Sequence, residues 1–165
     1  MSLSDRRLFL TSLLAVAGLG ACGFTPVYGP GGIAEGLQGA VRVDAPDNRD
    51  AYELVKRLEE RLGQPTTGGY FLEYQITTRT ENSGVTAAGE ISRIRVFGSV
   101  DFTLTRTSGG DVLQSGSVTT FTSYSNQGST VSIASVERDA YRRLMVALAD
   151  LLTTRLIATA PDWLE

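Results

Sequence analysis

Apolar residues recur along this chain with two periods, every second position and every third or fourth, and the switches between them divide it into elements. Leu37, Gly39, Val41 and Val43 alternate with Gln38, Ala40 and Arg42, which predicts a short half-buried strand ended by Pro46. Asp47 or Asn48 then stands where a helix cap belongs, with Asp50 in the first turn, where the helix dipole favours negative charge. Ala51, Leu54, Val55, Leu58 and Leu62 form one stripe at helical spacing. Glu53, Lys56, Arg57, Glu59, Glu60 and Arg61 fill the other side, as on a solvated helix face, and Gly63 and Pro65 end the helix. Tyr70, Leu72, Tyr74 and Ile76 alternate with Phe71, Glu73, Gln75 and Thr77 in a second strand, and Glu81-Asn82-Ser83-Gly84 reads as a loop. A long third strand places Ile94, Val96, Gly98, Val100, Phe102 and Leu104 on one face and Arg93, Arg95, Phe97, Ser99, Asp101 and Thr103 on the other. Ser108-Gly109-Gly110-Asp111 turns the chain into a hairpin whose return strand runs from about Val112 to Tyr124, with Gly116 marking a bulge or bend. After Asn126-Gln127-Gly128-Ser129, Thr130 or Ser132 can cap a second helix running to about Thr159, a rod of roughly 40 Å. Its apolar stripe is Ala134, Tyr141, Leu144, Met145, Leu148, Leu151, Leu152 and Leu156, with Arg138, Arg142, Arg143 and Arg155 on the wet side.

The order strand, helix, three strands, helix (β-α-β-β-β-α) predicts an α+β fold. It is a two-layer sandwich in which two helices cover one face of a four-stranded, mixed and mostly antiparallel sheet. The uncovered face then carries Gln75, Thr77, Arg93, Arg95, Ser99, Asp101, Thr103 and Thr119, a polar surface rich in short hydroxyl side chains. A third layer over that face would call for Val, Ile and Leu instead. Phe97 is its one large apolar residue, and an aromatic among polar neighbours suits an anchor in an interface.

The N-terminus has a different logic. Arg6 and Arg7 precede the apolar run Leu8 to Leu19, and small residues lead to Leu19-Gly20-Ala21-Cys22. Charged start, short apolar segment and small-residue cut site together form an export signal, and the end of it resembles a bacterial lipobox. The resemblance implies cleavage before Cys22, with a diacylglycerol on its thiol and an N-acyl chain such as palmitate on its amine. The apolar run is about 12 residues, short of the ~20 needed to span a bilayer. Residues 1–21 are therefore expected to be a signal peptide, 22–36 a lipidated flexible tether containing Pro30-Gly31-Gly32, and 37–165 one α/β domain. Asp5-Arg6-Arg7-Leu8-Phe9-Leu10 is similar to the twin-arginine export consensus. Gly23, rather than Asp, follows the cysteine, which favours sorting to the outer membrane.

Composition narrows the function. Without residues 1–21 the chain has 13 basic and 17 acidic residues, a net charge of −4, which disfavours nucleic acid as a partner. There is no histidine and Cys22 is the sole cysteine, so Ser-His-Asp and Cys-His chemistry is absent, as are disulfides and the commonest metal ligands. No spaced acidic pair points to carboxylate catalysis. The reading is a non-enzyme with no cofactor beyond the acyl chains and no metal.

Three features together resemble the lipopolysaccharide-assembly lipoprotein family LptE. They are the lipidated Cys-Gly-aromatic start with Pro26 and Tyr28-Gly29 behind it, the β-α-β-β-β-α order, and the polar loop from Tyr124 leading into a long C-terminal helix with Arg138-Asp139-Ala140-Tyr141. The resemblance implies a protein lipid-anchored on the periplasmic side of the outer membrane. Its partner would be the outer-membrane lipopolysaccharide-assembly barrel (LptD type), which it would plug and help to assemble. It leaves lipopolysaccharide itself as a second candidate partner. Family members are reported to touch that glycolipid through basic loop residues. Here 82–89 and 124–132 hold no Lys or Arg, so no contact residue carries over. The partner-binding candidates are Arg93, Arg95, Phe97 and Tyr124. The alternative function is a periplasmic lipid-anchored module holding a small amphiphile between sheet and helices.

Overall fold

A computed structural model of the chain describes residue 29 and residues 32–66, 68–85 and 91–164. Cys22, the export signal and most of the tether lie outside those residues. Gly36–Glu165 forms one compact unit. The elements are α1 (Ile33–Leu37), β1 (Val41–Val43), α2 (Arg49–Leu62), β2 (Tyr70–Val85), β3 (Ile91–Arg106), β4 (Val112–Ser125), α3 (Thr130–Thr159) and a closing 3-10 turn, Ala160–Asp162.

The sheet order is β1-β2-β3-β4. β1 runs parallel to β2 across the α2 crossover, and β2, β3 and β4 follow as an antiparallel meander. This is the expected mixed sheet with two helices. Its first strand is shorter than the alternation predicts. Leu37 belongs to a helical turn, and Gly39, at φ +69°, redirects the chain so that pairing starts at Val41. A side chain at Gly39 would also meet Thr66 Oγ1 at 2.7 Å.

Residues 81–84 are strand, not loop, and β2 and β3 pair from Tyr70↔Arg106 to Val85↔Ile91 with irregularities around Gly84. The bulge in β4 falls beside Leu113, between the pairs Leu104↔Gln114 and Thr105↔Val112, and not at Gly116. Gly116 stays in register opposite Phe102, whose ring would lie 3.3 Å from a Cβ there.

Both helices carry side-chain caps. Asn48 Oδ1 accepts the Ala51 N–H at 2.9 Å, and Ser129, one residue before the predicted pair of candidates, accepts from Ser132 N–H. The core lies between the layers. Leu54, Leu58 and Leu62 of α2 and Leu144, Met145, Leu148, Leu152 and Leu156 of α3 bury against Leu72, Val96, Val100, Phe102 and Leu104. Fully burying each of these side chains contributes about 1.5–3 kcal/mol. The buried stripe of α3 includes Ala140 and Ala149, whereas Ala134 and Leu151 of the predicted stripe are exposed. α3 is apolar and long enough to cross a membrane, yet its leucine stripe is the centre of this core.

Part of the charge on the helices is structural. Arg57 of α2 grips Asp150 of α3 with two hydrogen bonds, Nε to Oδ1 at 3.0 Å and Nη2 to Oδ2 at 3.2 Å, and Arg61 adds a third at 3.0 Å. At the far end Trp163 meets Tyr70 edge-to-face at 5.3 Å, and its indole N–H donates to Thr159 Oγ1.

Candidate functional site

Strand pairing decides which side chains share the uncovered face. Across β2, β3 and β4 it aligns Gln75–Asp101–Ser117, Thr77–Ser99–Thr119, Arg79–Phe97–Phe121 and Glu81–Arg95–Ser123 in successive rows. Because side chains alternate across a pleated strand, all of these project away from the helices. The rows pass from acid and hydroxyl groups to a patch of arginine and phenylalanine.

Phe97 and Phe121 are direct cross-strand partners, with ring centroids 5.7 Å apart and planes tilted by 40°. The Arg79 guanidinium lies 4.1 Å from the Phe97 centroid, and Arg95 is 5.8 Å from Phe97 and 5.1 Å from Phe121. Arg79 also pairs with Glu81. Stacking a guanidinium on a ring face is worth about 0.5–1 kcal/mol at an exposed site and more once desolvated. Phe121 is 56% exposed, so an incoming surface would bury most of a phenyl ring here. Beside the rings, Thr77, Ser99 and Thr119 help line an open depression of about 440 Å³.

The predicted candidates divide between the two faces. Arg93, Arg95 and Phe97 share the open face, where Arg93 donates from Nη1 to Ser123 Oγ at 3.4 Å. Tyr124 faces the other way and is buried among the core residues. Its burial first, and then Glu137, pushes the phenol pKa upward. Arg79 and Phe121 complete the cluster and were not singled out from the sequence. Phe121 could have been found by folding the Ser108–Asp111 hairpin in register, which sets it opposite Phe97.

Chemically, this surface offers three arginines, two rings and a field of hydroxyls, a constellation suited to binding. Among the described residues no group of three or more metal-ligating side chains occurs.

The profile of the LptE lipopolysaccharide-assembly family matches residues 39–156. The chain belongs to the LptE family. That match runs from β1 to near the end of α3, so the open face lies within the LptE region. LptE proteins are non-enzymatic lipoproteins of lipopolysaccharide assembly. No curated protein matches the sequence. Among solved structures, a protein described as a lipoprotein from Caulobacter crescentus CB15 superposes with TM-score 0.64 at 21% identity, covering 81% of this chain and 98% of that one. The rare lipoprotein B from Shewanella oneidensis gives TM-score 0.55 at 10% identity, covering 73% and 93%. A minor lipoprotein from Acinetobacter baumannii gives 0.54 at 19% identity, covering 72% and 89%. At these identities the likeness is one of fold, and it is the LptE fold that the strand order and helices build here.

Proposed function

We propose that this LptE-family chain is an outer-membrane lipoprotein, anchored through acyl chains on Cys22, that plugs and helps assemble the barrel delivering lipopolysaccharide to the cell surface. The observation that carries the docking part is the open face of the sheet. It is polar along most of its length, as a surface set against a polar barrel lumen must be, and it ends in the Arg79–Phe97–Phe121–Arg95 cluster. Arg and aromatic residues are the side chains that dominate the energetics of protein interfaces. Anchoring rests on the Leu19-Gly20-Ala21-Cys22 motif, since each buried CH₂ of an acyl chain contributes ~0.8 kcal/mol and stable anchoring takes more than one chain.

The alternative, an amphiphile held between sheet and helices, finds little room. Leu72, Val96, Val100 and Leu104 are 0% exposed and belong to one packed core with the leucines of both helices. The experiment is a pull-down of the tagged chain from detergent-solubilised outer membranes. The wild type should bring down a barrel protein in stoichiometric amount. Phe97→Ala combined with Arg95→Glu should reduce that yield while the purified variant keeps its far-UV circular dichroism. Wild-type yield from the double variant would exclude this face as the contact.

A further inference from the structure

The open face sorts its charges by sign. Following the strand pairing, Glu73 and Asp101 stand in adjacent rows toward the β1 end, and Arg95 and Arg93 stand toward the β2–β3 hairpin end. The neutral hydroxyl row Thr77–Ser99–Thr119 lies between them. At ~3.3 Å per residue, β3 carries Asp101 and Arg95 about 20 Å apart.

Each end is left without a countercharge. Glu73 and Asp101 are diagonal neighbours, since Glu73 pairs with Thr103, two residues along β3 from Asp101. Among the described residues neither carboxylate makes a hydrogen bond or an ion pair. The Arg93 guanidinium donates to Ser123 Oγ, and Arg95 lies against the rings of Phe97 and Phe121, so neither meets a carboxylate. Arg79 and Glu81, which sit among them, cancel each other. The helix layer is arranged the opposite way: Arg57 and Arg61 close on Asp150, and Arg142 and Arg143 close on Asp139. Like charges held side by side on a sheet destabilise it, and a docked surface of opposite charge relieves that repulsion at both ends.

We infer that these two charge pairs set the depth and direction in which the chain sits in the barrel, an inference that rests on the plug reading above. The partner surface it fits is a stretch of lumen wall with basic side chains opposite Glu73 and Asp101 and acidic side chains opposite Arg93 and Arg95. A partner of one sign alone would match one end of the face and be repelled at the other, so a protein wall bearing both signs is the occupant. Two bands about 20 Å apart fit on one such wall, whose apolar belt is ~25 Å tall. Turned end for end, the face would set like charge against like at both bands, and slid along its strands it would leave all four charges desolvated and unpaired.

The test is affinity purification of the tagged full chain from detergent-solubilised outer membranes, with the barrel protein that co-purifies in stoichiometric amount as the quantity read. The variants are Glu73→Lys with Asp101→Lys, Glu73→Gln with Asp101→Asn, and Arg93→Glu with Arg95→Glu, with Lys56→Glu on the exposed side of α2 as the control. Thermal melts followed by circular dichroism establish that each is folded, and the Gln/Asn variant carries the test should the lysine variant not fold. At about 0.05 M salt, barrel recovery is expected to fall roughly tenfold in each reversed variant and about threefold in the Gln/Asn variant, and to be unchanged in the control. The gap between wild type and the reversed variants should narrow as salt is raised to about 0.5 M. A wild type that brings down no barrel overturns the plug reading and this inference with it. Equal recovery with the wild type and the reversed variants, or an equal loss from Lys56→Glu, overturns this inference alone.

Discussion

Gly98 is where the packing can be tested most sharply. It lies at the centre of β3, between Thr78 and Thr120, beneath the leucine stripe of α3. A Cβ at this position would stand 2.9 Å from Leu148 Cδ1 and 3.0 Å from Leu144 Cδ2. Both leucines are 0% exposed, so neither can swing into solvent, and the helix must lift or both side chains must leave their rotamers. Overpacking of this kind costs about 1–3 kcal/mol. The φ of Gly98 lies outside the left-handed region, so alanine meets no backbone penalty and recovers about 0.4–1 kcal/mol by restricting the unfolded chain. The net cost of Gly98→Ala is therefore about 0–2.6 kcal/mol, centred at roughly 1.3 kcal/mol, a drop in Tm of about 3–5 °C at this chain length. Gly69→Ala is the control, since nothing lies within 4 Å of its Cβ position. It should be neutral or slightly stabilising. Urea denaturation followed by circular dichroism reads both. Combining Gly98→Ala with Leu148→Ala should cost less than the two changes separately by about 1 kcal/mol, because the new methyl enters the space the leucine leaves. A Gly98→Ala protein more stable than the wild type, or strict additivity with Leu148→Ala, would refute this view of the helix–sheet contact.

Three further outcomes follow from the same geometry. Alanine at Arg57 and at Asp150, singly and together in a double-mutant cycle, should give a coupling of about 0.5–1 kcal/mol that shrinks as salt is raised from 0.05 to about 1 M, since both side chains are about one-third exposed. A coupling of zero at low salt would reduce the clamp to a surface pair. Thr153 is 0% exposed, and its hydroxyl is the one buried side-chain polar atom without a partner among the described residues, so Thr153→Val should stabilise by about 1 kcal/mol in urea melts. Loss of stability there would reveal a hydrogen bond to that hydroxyl. Tyr74 has its pKa pushed up to about 12, first by burial and then by Asp44 and Asp47. The fold favours the neutral phenol, so its contribution is complete below the unfolded-state pKa near 10 and is lost as pH rises toward 12. The urea midpoint should fall across that window, and Tyr74→Phe should flatten the fall.

How much of this was legible in the sequence depended on whether a local pattern or a distant partner fixed each element. The α2 stripe was readable because Ala51, Leu54, Val55, Leu58 and Leu62 repeat at helical spacing and are all buried. The far half of β2 was not. Thr78, Arg79, Thr80, Glu81 and Asn82 are polar on both faces, and what holds them extended is their pairing with Ile94–Gly98 across the hairpin. For α3 the stripe was right at its leucines and wrong at Ala134 and Leu151. Full burial of the helix begins only at Ala140, and the buried face includes a small residue, Ala149, that hydropathy alone does not mark. The candidate site divides in the same way. Alternation placed Arg95 and Phe97 on the open face. Arg79 lay between the last alternating residue, Thr77, and the stretch read as a loop, and Phe121 required the register of a hairpin with a bulge beside Leu113. Tyr124 looked like the head of a loop, yet its phase in β4 turns it into the core.

The account centres on the open face as the surface that meets the barrel. Photo-crosslinking from single positions in living cells tests it most directly, with a photoreactive residue placed at Phe97, at Phe121, and at Lys56 on the exposed side of α2. The prediction is an adduct with an outer-membrane barrel from Phe97 and Phe121 and none from Lys56. Adducts from Lys56 with none from the two phenylalanine positions would place the partner on the helix layer and contradict the account.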